Sequence, residues 1–520
     1  MVISPKANSF FQRTRRPRFS QKKASQNGQT KGCNDYSISW IPTIEDHRPD
    51  STGKSKYDKI HNWLRQEPRF YPKKVMQQLS QPNSVPAASQ NNPIFDTTYA
   101  SALLSLIKTA KNTIFADIFL FGGSFGVEVS RQLLLATQRG VEVVILHDTE
   151  SGFGVDRESE PVWNALVKLA EKNPKLVTLR TSNHHPNRPS AIPFGLEKII
   201  QPLLASRSKT PLSLSGRSDH SKIIVTDGFT ASAKACIGSK NWIDSAAMSF
   251  HDEAVVVHGQ PAAAILSHYI PDIRAAQALA AKEDLLTTNN QALLAHWYDL
   301  SQSISHSPNN PDIRIFENNI DSSRVEIEGQ ILKEIAGATT SIDLYGRLIY
   351  NPRLNAALAM AQKRGVIVRA ILDQAQPSTT LLNSTLPLAL RHKGGSVKNT
   401  VRWYKRKSIY SQQNHSEIVR ELHAKTIIFD GKTTMLGSCN FDAGSFTGGF
   451  RETNILINSV DIAQKARDQF NEIWSDEHTI THEAFLQTKS NWLPPSISFL
   501  SLRNLALQLL RLNTARIGMK

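Results

Sequence analysis

The chain has 520 residues, of which 40% are hydrophobic and 20% charged, a balance that predicts a mainly globular protein with more than one domain, each long enough to bury its own core. Lys and Arg number 61 against 45 Asp and Glu, a formal net charge of +16, which favours anionic partners (phospholipid surfaces, nucleic acid or small phosphates) without choosing among them. The three cysteines, Cys33, Cys236 and Cys439, show no zinc or redox spacing, and so odd and sparse a set argues against a disulfide framework and suits a reducing compartment.

Residues 1–90, rich in Gln, Ser, Asn, Pro and Lys, read as a basic flexible N-terminal region, with Ile60–Trp63 and Phe70–Tyr71 as short docking elements and order beginning near Pro93. The first 34 residues contain no acid, and no apolar core follows them, which excludes a secretory signal peptide; a solvated basic tail and an organelle transit peptide both fit. No stretch has the roughly 18–20 consecutive apolar residues of a membrane span. The expected location is therefore the cytoplasm or the surface of a membrane touched peripherally.

A first domain is expected over 91–285. Tyr99–Lys111 has helical spacing, Thr113–Phe121 reads as a buried strand, Gly126–Gln138 as a helix ending at Arg139-Gly140, and Val141–Leu146 as a strand leading to Asp148. A linker over 286–311 joins it to a second domain, 312–480, which repeats the order: helix Ile327–Ile335, strand Ser341–Tyr345, helix Asn351–Lys363 ending at Arg364-Gly365, and strand Val366–Leu372 leading to Asp373. The shared Arg-Gly-Val-x-Val run indicates duplicated β-α-β units, with each Gly free to take positive φ at a helix end. The fold class is α/β: two similar α-β-α sandwich halves with mixed sheets, packed as a pseudo-two-fold pair. Residues 481–520 form a tail in which Ile497–Ile517 reads as a basic apolar helix, compatible with a membrane interface and with packing onto the body.

The chemistry lies in a second duplication. His220-Ser-Lys222-Ile-Ile-Val-Thr-Asp227 recurs as His423-Ala-Lys425-Thr-Ile-Ile-Phe-Asp430, and each copy is followed by Gly-Ser-x-Asn, at Gly238–Asn241 and Gly437–Asn440. Glu253 and Glu452 each lie twelve residues beyond the Asn. Alternation along a strand puts His220 and Lys222 on one face, and likewise His423 and Lys425. Packed about a two-fold axis, the copies pool two histidines, two lysines and the side chains of Ser239, Asn241, Ser438 and Asn440 into an electropositive nest for a phosphoryl group. One neutral imidazole attacks a phosphodiester while a protonated one donates to the leaving oxygen. Glu253 and Glu452 suit the task of orienting the imidazoles. Asp227 and Asp430, each before Gly, are expected to fix turns, and Cys439 to fill space.

These residues resemble the phospholipase D superfamily, whose pattern is H-x-K-x4-D twice, each copy followed by G-S-x-N. The second half, Gly437–Ser445 followed by Glu452–Ile457, is similar to the bacterial cardiolipin synthase and phospholipase D-like branch. The resemblance covers roughly 95–480. It implies the phospholipase D fold and a two-step reaction through a phosphohistidine, with His220 as nucleophile, His423 as acid and base, and no metal or other cofactor. The near-symmetry of the motifs does not itself assign those roles. The first copy departs from the second: eighteen residues separate His220 from Gly238 against fourteen from His423 to Gly437, and a longer segment before it holds His184-His185 and Pro186–Ser218. That insertion is expected to shape the entrance, and without acidic or Cys partners His184-His185 reads as loop rather than metal ligands.

The expected function is a phospholipid phosphodiesterase or transphosphatidylase, a monomer that is internally a pseudo-dimer. The alternative is a nuclease of the same superfamily, favoured by the positive charge and by the acid-free stretch from Asp373 to Glu417, where Arg391, Lys393, Lys398, Arg402 and Lys405–Lys407 flank Trp403-Tyr404. That stretch reads as a basic aromatic loop able to clamp headgroups or stack bases, or as a solvated loop. A non-catalytic binding protein is disfavoured because both motifs are intact.

Overall fold

The computed structural model describes residues 36–41, 51–52, 54, 59, 72–83, 93–148, 159–181, 218–244, 251–282, 285–303, 312–319, 324–375, 377–406, 409–411, 416–418, 421–447 and 450–490. The basic N-terminal stretch, His184-His185 and the 497–517 helix expected from the sequence lie outside these residues.

The first half contributes strands β1 (Ile38–Ile41), β2 (Thr113–Ile118), β3 (Glu142–His147), β4 (Leu176–Arg180), β5 (Ser218–Asp219), β6 (Lys222–Thr226), β7 (Lys234–Gly238) and β8 (Ala254–His258). The second contributes β9 (Ile313–Asn319), β10 (Arg324–Val325), β11 (Ser341–Gly346), β12 (Ile367–Asp373), β13 (Val401–Tyr404), β14 (Ile409–Ser411), β15 (Ser416–Ile418), β16 (Lys425–Phe429), β17 (Thr433–Gly437), β18 (Phe450–Asn458) and β19 (Thr479–Thr481). Among the described residues, one large sheet runs β1-β8-β7-β6-β2-β3-β4 and a second β10-β9-β18-β17-β16-β11-β12-β13-β19, with β5 pairing β18 and β14-β15 forming a separate two-stranded sheet. In both, a parallel trio (β2-β3-β4; β11-β12-β13) is flanked by antiparallel strands. These are the two mixed-sheet halves expected from the sequence.

Each sheet is covered on both faces. Helices Thr98–Thr109, Gly123–Gln138 and Ser159–Ala170 pack their apolar sides on the outer face of the first sheet. Ile327–Gly337, Pro352–Lys363 and Thr385–His392 do so on the second. Between the sheets lies one continuous core to which both halves contribute: Phe115, Val225 and Val255 from the first sheet, Tyr345, Ile428 and Ile455 from the second, with helices Gln260–Lys282 and Val460–Ser475 between them. Burying an aliphatic or aromatic side chain stabilises by about 1.5–3 kcal/mol, so the halves are held together by the same effect that folds each one.

The Arg-Gly repeat has a local cause. Gly140 and Gly365 end their helices at φ +91°, a conformation that costs a residue with Cβ. The preceding Arg139 and Arg364 donate to the carbonyls of Ile107 (3.0 Å) and Ile335 (2.7 Å), capping the neighbouring helix in each half.

Three expectations need correction. Order begins before Pro93, because Ile38–Ile41 forms the edge strand β1, antiparallel to β8, with Trp40 and Ile41 buried. The stretch read as a linker contains helix Thr288–Ser303, whose Leu293, Leu294 and Trp297 are buried. Trp403 and Tyr404 are not exposed clamps: they lie in β13, inside the sheet, fully buried, with Trp403 stacked on Phe485 at 4.0 Å. Lys393, Lys398 and Lys405 around them are exposed, so the basic residues and the aromatic ones do not share a surface.

Candidate active site

β6 and β16 carry the two motifs at equivalent places, each between an antiparallel hairpin partner and the first strand of the parallel trio. Both motif aspartates take the left-handed conformation, Asp227 at φ 53° and Asp430 at φ 52°. Their carboxylates accept backbone N–H groups that open β2 and β11, from Asn112 (2.6 Å) and Lys111 (3.0 Å) in one half and from Thr340 (2.8 Å) and Ser341 (3.0 Å) in the other. They fix the turn and set strand register.

The site is assembled across the halves. The backbone N–H of His220 donates to the carbonyl of Arg451 (2.9 Å), and that of His423 to the carbonyl of His251 (3.0 Å). The strand-end acids Asp148 and Asp373 accept the N–H of the residue before each histidine, Asp219 (2.8 Å) and Leu422 (2.9 Å). Each imidazole then meets an acid of the other half. Nδ1 of His220 lies 3.0 Å from both oxygens of Glu452, and Nδ1 of His423 lies 2.8 Å from Oδ1 of Asp252. With Nδ1 engaged, Nε2 is the nitrogen left for chemistry.

Asp252, not Glu253, is therefore the counterpart of Glu452. The carboxylate of Glu253 accepts hydrogen bonds from Thr426 (2.9 Å) and Gln469 (2.6 Å), and its side chain does not serve a histidine. Counting from the Asn of each turn misses this, because the turns leading into β8 and β18 differ by one residue. Aligning the strands gives the answer: Gly238 pairs with Ala254 and Gly437 with Asn454, which sets Asp252 against Glu452. Both glycines are required there, since an added Cβ would meet the carbonyl oxygens of Glu253 at 2.1 Å and Thr453 at 2.3 Å.

The serines also differ from expectation. Ser239 Oγ donates to Asp252 (2.6 Å) and Ser438 Oγ to Glu452 (2.5 Å), while each accepts the following backbone N–H, of Glu253 and Thr453, at 3.0 Å. They hold the acids that hold the histidines and have no capacity left for a phosphate. Asn241 and Asn440 are buried, and their side-chain Oδ1 atoms have no protein hydrogen-bond partner. Lys222 and Lys425 are both 1% exposed, and each Nζ donates to the carbonyl of its own motif histidine, at 2.5 and 2.6 Å.

Burial governs the protonation of these groups. It draws Lys222 down to about 7 and Lys425 to about 8, with the carboxylates of Glu452 and Asp252 opposing the fall. Burial and then Lys222 and Lys425 hold His220 well below the usual imidazole range, and burial and then Lys425 bring His423 to about 3, so both imidazoles are neutral. The two acids diverge. Burial raises Glu452 to about 8 despite Lys222 and Ser438. At Asp252 burial acts in the same direction, but His423 and Lys240 outweigh it and hold the carboxyl well below its ordinary value. Burial thus pushes the partner of His220 toward its neutral form, while the partner of His423 is held ionised.

The fold and paired motifs define a class: a two-motif phosphodiesterase scaffold with one cross-half site. The family described as "Cardiolipin synthase, PLD-like domain" matches residues 103–273 and 331–474, and the chain belongs to that family. A cardiolipin synthase of Listeria monocytogenes serotype 4a (strain HCC23) is 24% identical over 423 residues, covering 80% of this chain and 73% of that one. The solved phosphatidylserine synthase of Haemophilus influenzae Rd KW20 shares the fold, with a TM-score of 0.52 at 12% identity over 80% of this chain and 92% of that chain. Nuc, a phospholipase D family member from Salmonella typhimurium, aligns over 33% of this chain and 97% of that chain with a TM-score of 0.26 and 21% identity.

Proposed function

We propose that this protein cleaves a phospholipid phosphodiester and passes the phosphatidyl group to an alcohol or water through a phosphohistidine on His220. The observation that carries the reading is the crossed pair of dyads, His220–Glu452 and His423–Asp252, each joining the two halves. The named relatives, a cardiolipin synthase and a phosphatidylserine synthase, support a phospholipid substrate.

Nε2 of neutral His220 attacks phosphorus, forming a P–N bond as the P–O bond to the headgroup breaks. The leaving oxygen takes a proton from His423. The phosphodiester's negative charge offsets Lys222 and Lys425, which otherwise keep His423 deprotonated, and ionised Asp252 steadies the imidazolium. Lys222 and Lys425 neutralise the non-bridging oxygens, and the amides of Asn241 and Asn440, turned about χ2, present NH2 donors beside them. In the second step His423 takes the proton of the incoming hydroxyl, the new P–O bond forms, and His220 leaves.

The test offers purified protein labelled phosphatidylcholine, phosphatidylglycerol and single-stranded DNA, with and without a primary alcohol. Lipid turnover with transfer to the alcohol is expected. Cleavage of DNA without lipid turnover identifies a nuclease and overturns the proposal.

A further inference from the structure

The pseudo-two-fold axis relates residues pairwise around the site, so a break in the relation marks where its two ends differ. Phe119 N donates to the carbonyl of Ser221 (3.0 Å), and Arg347 N donates to the carbonyl of Ala424 (3.3 Å). Phe119 and Arg347 therefore hold the same place in the two halves, immediately beside the motif lysines, yet one is an aromatic and the other a guanidinium. Phe119 packs edge-on against the His220 ring (4.7 Å between centroids), with Lys222 Nζ 4.9 Å from its own ring centroid. Phe450 stands 5.9 Å from the same imidazole, and Phe119 forms with Leu120 and Ile243 a small buried apolar cluster separate from the three main cores. The His220 end of the site is walled by hydrocarbon.

The other end is polar. Arg347 is braced by Glu421, Nε to Oε2 at 2.8 Å and Nη2 to Oε1 at 3.1 Å, while its own side chain remains 30% exposed against 4% for Glu421. The ion pair is one-sided: the carboxylate is buried and the arginine side chain is partly exposed. Arg347 follows Gly346, which pairs with Lys425, and its N–H binds the carbonyl of Ala424 between His423 and Lys425, so it stands at the His423 end of the site. An in-line displacement puts the leaving group opposite the nucleophile, hence on the side of His423.

We infer that Arg347, braced by Glu421, contacts the departing or incoming headgroup and is the residue that discriminates among headgroups, while Phe119 and Phe450 shield the His220 end from water. This rests on the phospholipid reading above. A guanidinium favours headgroups that offer oxygen acceptors and disfavours a trimethylammonium, which offers only a like charge.

The test measures kcat/KM of the full chain on phosphatidylglycerol and phosphatidylcholine with identical acyl chains, and on bis(4-nitrophenyl) phosphate, which has no lipid headgroup. Arg347→Ala is compared with Arg347→Ala/Glu421→Gln, which leaves no unpaired buried carboxylate. In both variants the phosphatidylglycerol-to-phosphatidylcholine ratio is expected to fall about tenfold or more, with a smaller fall on bis(4-nitrophenyl) phosphate than on phosphatidylglycerol. An unchanged ratio with lipid turnover retained overturns the assignment of Arg347. So does an equal fall on all three substrates, which would place the residue on the phosphate rather than the headgroup. Absence of lipid turnover by the unmodified protein overturns the phospholipid reading instead, and this inference with it.

Discussion

Asp252 and Glu253 are adjacent, buried acids with opposite fates: the first engages His423 at 2.8 Å, while the second lies between Thr426 and Gln469. In the proposed mechanism, removing the charge of Asp252 deprives the imidazolium of its partner at the moment it must form. Asp252→Asn should lower kcat by roughly 100-fold or more, whereas Glu253→Gln, whose carboxyl is raised to about 8 chiefly by burial, should stay within a few-fold; steady-state kinetics of the two variants checks this. The lysines set the pH range. In the proposed mechanism they bind phosphate when protonated, and the protonated fraction falls as pH rises through about 7 for Lys222 and about 8 for Lys425. The profile of kcat/KM, which reports the free enzyme, should therefore decline on its alkaline side across that window. Lys222→Arg stays charged throughout, and whatever activity it keeps should show the limb displaced toward about 8.

At the level of elements, the repeated helix–strand order was readable because each Val/Ile-rich strand sits between amphipathic helices closed by Arg-Gly. β1 was not, because Ile38–Ile41 is four residues long, too short for periodicity to stand out from a polar surround. Its pairing depends on β8, more than 200 positions away in the chain. It occupies on the first sheet the place β9 takes on the second, and it buries Trp40 at 8% exposure. Trp40→Ala should cost about 3 kcal/mol in urea unfolding; no measurable loss would mean the strand is an appendage. The histidines, lysines and turn asparagines of the site were legible from the motif repeat. Asp252 was hidden by a one-residue difference in turn length, and only strand register exposes it. Trp403 and Tyr404 misled because a run of basic neighbours looks like a surface loop, whereas the exposed Lys398 and Lys405 only flank a covered strand whose Trp403 and Tyr404 enter the cores on its two faces.

Across the whole molecule, the halves are joined by chemistry as well as by core. Arg451, beside Glu452 in β18, reaches into the first half to Asp117 (2.7 Å) and Asp272 (2.8 Å), with Asp219 at 3.6 Å, and lies over the ring of Tyr269 at 3.8 Å. Replacing it leaves several buried carboxylates without their cation. Arg451→Met should therefore destabilise by about 3–5 kcal/mol, and adding Asp117→Asn should recover part of that loss in the same unfolding experiment. Among the described residues no helix is long and apolar enough to cross a membrane. Because His220 is oriented by Glu452 and His423 by Asp252, neither half holds a complete dyad alone, and the proposed division of roles needs both. The most direct measurement traps the covalent intermediate: protein turning over a labelled phospholipid is quenched, digested under alkaline conditions that preserve phosphohistidine, and mapped by mass spectrometry. The label is predicted on the peptide carrying His220, and it should be absent from His220→Ala. Label on His423 with His220 bare, or sustained turnover with label on neither, would contradict it.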